Sequence, residues 1–92
     1  MIADPHPTPG RDDATLMIDA LTWVLSDEAR ASRFLGLTGL SPDRLRVMMG
    51  TPALNEAVAR FLEGHEADLI ACAHALGLEA GVLAAAVQAA RT

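Results

Sequence analysis

Apolar side chains recur along this chain at helical spacing. Leu16, Ala20, Trp23 and Val24 stand at i, i+4, i+7 and i+8, and Leu54, Val58, Phe61 and Leu62 repeat the set, which gathers each group onto one helix face. Shorter stripes follow the same rule: Ala31, Phe34, Leu35 and Thr38; Leu69, Cys72, Ala73 and Leu76; Leu45, Met48 and Met49; Leu83, Ala86 and Val87. No segment alternates with the period of two that a strand requires. Local signals divide the pattern into six helices. Asp12 or Asp13 opens the first, which runs to about Leu25, and Ser26 and Asp27 open a second to about Thr38. Ser41-Pro42-Asp43 supplies a cap, an N1 proline and an acidic first turn to a third, ending near Met49. Thr51-Pro52 repeats that start for a fourth, to about Glu63, and the last two cover roughly His65 to Leu76 and Glu79 to Ala90. The predicted fold is therefore all-α, a compact bundle of about six short helices. Residues 1–11, with three prolines, read as a disordered lead-in, and 12–92 as a single helical domain. The stripes and the residues after each glycine stop predict a core of Leu16, Trp23, Phe34, Leu40, Leu45, Leu54, Val58, Phe61, Leu69, Leu76 and Leu83.

The stripes of the first three helices reappear in the last three at a constant offset of 38 residues. Leu16/Leu54, Glu28/Glu66, Ala29/Ala67, Gly39/Gly77, Leu40/Leu78 and Leu45/Leu83 are identical pairs at that offset. Two readings fit: two pseudo-repeated three-helix units, or the resemblance any two amphipathic units share through their common period.

Composition narrows the function. Half the chain (51%) is hydrophobic, only 3% is aromatic, and alanine and leucine dominate, which favours helices. A chain of 92 residues has room for one thin core and not for a multidomain enzyme. The net charge is −5, with every basic residue an arginine, so a broad footprint for phosphate backbones is lacking and nucleic acid is disfavoured as a partner. Met1–Gly10 lacks the apolar stretch of a secretory signal. The lone Cys72 is compatible with a reducing compartment, and the cytoplasm is the expected location. Leu69 to Ala90 holds one charged residue, Glu79, but Gly77 and Gly81 flank it. Two buried helices and a turn are expected there instead of a membrane span.

The segment RFLGLTGLSPDRLR (Arg33–Arg46), followed by a run that includes Phe61–Leu69, resembles a family of small uncharacterised bacterial proteins, domain of unknown function three-five-seven-two. The resemblance covers nearly everything after Asp13. It implies a helical fold and carries no known activity or site residue.

Catalytic and metal chemistry fails on spacing. His65-Glu66 begins like a zinc-protease helix, but the second histidine that would complete it is replaced by Leu69. A deaminase H-x-E fails at Ala67. Cys72 and His74, two apart, project about 200° apart on a helix, so Cys72 is expected in the core and His74 on the polar side. The glycines Gly36, Gly39, Gly50, Gly64, Gly77 and Gly81 read as helix stops or tight packing points, and Glu56 with Arg60 as a surface pair. No enzyme activity, cofactor or metal is expected.

Two binding surfaces remain. The first helix carries a second apolar stripe, Ile18, Leu21 and Leu25 with Met17 at its margin, where a small-domain helix normally keeps a broad polar face. Either the sixth helix covers it or an unknown protein partner or second copy does, and Met17, Ile18, Leu21 and Leu25 are the candidate interface. The other surface is a helix–Gly–helix corner around Gly39 with Arg30, Arg33, Arg44 and Arg46 nearby. These arginines are the candidate contacts if the corner is a helix-turn-helix reader of DNA. Against that, Leu35 stands where the motif wants a small residue, and the better-formed corner, Ala73–Gly77–Leu83, leads into an alanine helix with nothing to read a base. A non-catalytic protein-interaction or accessory module is the expected role, homodimeric if a second copy covers the stripe on the first helix; the alternative is the DNA-binding module.

Overall fold

The computed structural model describes residues 12–91, so the lead-in expected over 1–11 lies outside the described residues. Among those described there are six helices and no strand: α1 (Asp13–Leu25), α2 (Glu28–Thr38), α3 (Pro42–Met48), α4 (Pro52–Glu63), α5 (Glu66–Ala75) and α6 (Ala80–Arg91). The starts follow from capping chemistry. Asp12, Asp27, Ser41 and Thr51 each accept the backbone N–H three residues on, at 2.8, 2.9, 3.1 and 3.3 Å, satisfying donors a helix start leaves orphaned. That bond holds the Asp12 carboxyl below the usual carboxylate range. Of the two residues expected to open α2, only Asp27 does so; Ser26 closes α1 by donating its hydroxyl to the Trp23 carbonyl at 2.6 Å. Gly39 and Gly77 end α2 and α5 regions with φ of 74° and 75°, a left-handed turn that glycine enters without penalty. Gly36 and Gly81 differ from expectation: each lies inside a helix, and a methyl group there would meet nothing within 4 Å. They mark neither stops nor close approaches.

α6 is the centre of the packing. It lies against α4, α1 and α5, while α1 also packs on α4 and α2. Leu83, Ala86 and Val87 are its buried residues, and Ala20, Ala59 and Ala73 are buried on α1, α4 and α5. Small side chains at these positions let helices approach closely, and the larger Leu83 and Val87 together contribute roughly 3–6 kcal/mol of burial. Around them Met17, Leu21, Val24, Phe34, Leu54, Val58 and Leu62 close a core with no buried polar residue among those described. Of the predicted core, Trp23, Leu40, Leu69 and Leu76 are only half-buried, packed against its edge. In so thin a domain the residues near helix ends cannot all reach the interior.

The pseudo-repeat holds for two helices of each unit and breaks at the third. α1 packs on α2 as α4 packs on α5, and the two units share the left-handed glycine at matching positions. α6, however, is twelve residues long and packs on both preceding helices of its unit. α3 has seven residues, packs on α4, and makes at most marginal contact with α1 and α2. The shared period therefore overstates the likeness.

No single described helix is long and apolar enough to cross a membrane. The apolar run at the end of the chain is instead broken at Gly77 into α5 and α6, bent 113° from one another.

Candidate functional site

The extra stripe on α1 is covered from within. Met17 and Leu21 are fully buried, Ile18 is half-buried, and only Leu25, 37% exposed, reaches the surface. α6, α4, α2 and α5 all pack on α1, α6 the most extensively, so the candidate interface of Met17, Ile18, Leu21 and Leu25 is corrected: its centre is core. The stripe is readable from α1 alone, but the helix that fills it is not.

The four arginines do not form one cluster either. Arg30 lies flat on the Trp23 ring, 3.6 Å from its centroid, and donates to the Trp23 carbonyl at 2.8 Å, so it closes the α1–α2 corner and leaves Trp23 half-buried. Arg33 pairs with Asp68 of α5 and reaches over the Phe61 ring at 5.2 Å. Arg46 pairs with Asp43 at 3.0 Å within α3. Arg44 is exposed on α3 and, like Arg30, has no ion pair to a described residue. Two of the four are thus structural, which takes them out of any DNA-reading surface.

The most open apolar surface lies around α3. Leu37 near the end of α2 is 65% exposed, Val47 on α3 is 73% exposed and Met49 is 43% exposed. A groove of about 520 Å³ runs between the α2–α3 corner and the α4–α5 corner, over Leu37, Leu40, Met48, Ala57 and Phe61. On the opposite side of α3 a smaller one, about 270 Å³, is walled by Leu25, Leu35, Pro42, Leu45 and Met49. Each groove carries one arginine, Arg60 in the larger and Arg46 in the smaller, and neither is lined by a carboxylate. Arg60 is held at 3.1 Å by Glu56, the surface pair expected from their spacing. The floor of the larger groove is fixed by Phe34 and Phe61, stacked edge-to-face with centroids 5.5 Å apart. Leu37 and Val47 fall outside the stripes of their helices, and that signal could have located the surface from sequence.

A third cavity, about 580 Å³ between the ends of α1, α4 and α6, mixes charges of both signs through Asp13, Glu56 and Arg91. Beside it Arg91 pairs with Glu63, and this bond holds the Glu63 carboxyl below its ordinary range.

The remaining chemistry-bearing residues are accounted for by packing. His65, expected in an exposed first turn, is half-buried: its ring stacks on Phe61 at 5.2 Å and Nδ1–H donates to the Phe61 carbonyl at 3.0 Å. Cys72 is buried and His74 exposed, on the two sides their spacing requires. Burial pushes the Cys72 thiol up to about 11, which suppresses the thiolate a nucleophile needs. Among the described residues no three His, Cys, Asp or Glu side chains come together in a way that would hold a metal.

Comparison with known families gives one match. A family model described as a protein of unknown function, DUF3572, matches residues 11–91. The chain belongs to this family. DUF3572 thus spans all six helices, and both grooves beside α3 lie within the matched stretch. No curated protein and no solved structure matches the chain.

Proposed function

We propose that this DUF3572 chain is a non-catalytic protein-interaction module that uses the α2–α3 corner to hold an acidic segment bearing aliphatic side chains. The observation that carries this is the pair of mostly apolar grooves flanking α3, each with one arginine and no carboxylate, the larger also lined by Thr38 and His65, on a chain of net charge −5. With Arg30 and Arg33 held in structural contacts, α3 itself still sets exposed Arg44 and Arg46 against one aspartate, Asp43, so it is locally basic on an acidic body. Exposed apolar surface flanked by charge is what partners cover, and complementary charge selects among them. The pairs Arg46–Asp43 and Arg60–Glu56 join neighbours on one helix and are exposed. Such pairs are worth about 1 kcal/mol or less, so each guanidinium can turn to a partner's carboxylate at little cost. A symmetric dimer through the same corner would set arginine against arginine, which disfavours a second copy. Cytoplasm is the location that goes with this role and with a lone, buried thiol at Cys72.

The test is a titration of the full chain with a helical peptide carrying leucines at i, i+3, i+4 and i+7 and flanking glutamates. Binding should weaken as salt rises, fall about tenfold (about 1.4 kcal/mol) in Arg44→Glu plus Arg46→Glu, and vanish in Leu37→Glu plus Met49→Glu, one exposed lining residue from each groove. A version with lysines for glutamates should bind far less. Equal binding of the two peptides, or of neither, overturns the proposal. Salt-sensitive, submicromolar binding of duplex DNA that depends on Arg44 and Arg46 would replace it with a nucleic-acid role.

A further inference from the structure

We infer that α3 is a hinged flap: it opens as a unit about Gly39 and Gly50, joining the two apolar grooves beside it into one trough that accepts a partner helix. At seven residues, α3 is well short of the ~12–15 at which an isolated helix holds in water, so packing must keep it in place. Little packing does. Leu45 is its single buried residue, Met48 is half-buried against the edge of the core, and α4 is the one described helix it touches more than marginally. Its ion pair, Arg46–Asp43, is internal and ties it to nothing. α2 offers the contrast, since Phe34 anchors it in the core and Arg33 fastens it to Asp68 of α5.

Both ends of the flap are built to turn. Gly39 and Gly50 have φ of 74° and 82°, and nothing beyond their own chain neighbours stands within 4 Å of where a Cβ would be; at the Gly50 end the Thr51 N–H and hydroxyl donate to the Met48 carbonyl at 3.0 and 2.7 Å, the two bonds that part as α3 opens. α3 is also the wall the two grooves share. Met48 faces the larger, and Leu45 and Met49 the smaller. Those three stand at i, i+3 and i+4, the spacing by which a helix seats itself on an apolar floor. With α3 swung aside, the floor runs from Leu25 and Leu35 through to Leu40 and Phe61. An incoming helix with leucines at the same spacing then replaces α3 in kind, and its acidic flank meets Arg60. What enters the trough rests on the docking proposed above; the motion does not.

Native-state hydrogen exchange on the full chain tests both parts. The backbone amides of Leu45, Arg46, Val47 and Met48 should exchange about 100-fold or more faster than those of Leu83 to Val87 in α6, with no dependence on low urea, as local openings do. Equal protection and an equal urea slope in the two helices would overturn the flap. Addition of the glutamate-flanked leucine peptide should then lower the protection of α3 further while raising that of α2. A bound peptide that leaves α3 equally or better protected means it docks on the closed corner, and the trough is wrong. Fast exchange in α3 with no peptide binding leaves the hinge standing and removes the docking proposal instead.

Discussion

Replacing Phe34 and Phe61 by leucine, singly and together, measures how firmly the floor of the larger groove is fixed. Phe34 is fully buried, the sole buried side chain of α2, and Phe61 is 4% exposed on α4. Their rings meet at 5.5 Å and 81°, the edge-to-face arrangement worth about 0.5–1.5 kcal/mol beyond burial. Each leucine should cost about 1–2 kcal/mol in lost apolar contact and small cavities, and each single variant also forfeits the ring–ring term. The double variant forfeits that term once, so it should be less destabilised than the sum of the singles by about 0.5–1.5 kcal/mol. Contacts of Phe61 with Arg33 and His65 are lost in the Phe61 single and in the double alike, and cancel. Leucine is chosen over alanine because two alanines would cost about 6–10 kcal/mol, against a total of roughly 5–14 kcal/mol for a domain this size. Urea unfolding followed by circular dichroism gives the four free energies, provided the denaturant slope is common to all. Additivity within about 0.3 kcal/mol would refute the coupling and with it the view that these rings hold α2 against α4.

Two further outcomes follow from residues already described. Alanine at Gly36 or Gly81, inside helices with open space around them, should raise stability by up to about 1 kcal/mol. Alanine at Gly39 or Gly77 should lower it by about 1–2 kcal/mol through the positive φ alone; thermal midpoints moving the same way at all four sites would contradict this. Cys72 gives a pH dependence. Burial raises its thiol from 9.0 to about 11, so the folded chain holds the proton after the unfolded chain has released it. Stability should therefore be unaffected below pH 9 and fall as pH rises toward about 11, and urea midpoints of Cys72→Ala should lack that fall.

Helix placement was legible because caps and stops are local chemistry. Asp12, Asp27, Ser41 and Thr51 sit at the first N–H groups they satisfy, and all six predicted helix ends fall within one residue of the observed ones. The pairing of faces was not. Met17 and Leu21 read as a spare stripe until α6, more than fifty residues on, is seen lying over them. Trp23 sits on an apolar stripe, but Arg30 rather than the core takes its ring. The grooves beside α3 are spaces between helices, set by crossing geometry that no single segment encodes. Only their rims showed in the sequence, in the off-stripe Leu37 and Val47 and the arginine-rich run.

The position of α6 also bears on how the chain is made. It is the last of the six helices to leave the ribosome, yet α1, α4 and α5 all close on it. Until Leu83, Ala86 and Val87 arrive, the faces of α1, α4 and α5 that pack on α6 have nothing to cover them. Folding of these helices is accordingly one event that waits for α6. A copy cut short before α6 leaves that apolar seam open to proteases, so α6 acts as the seal on the helices that precede it.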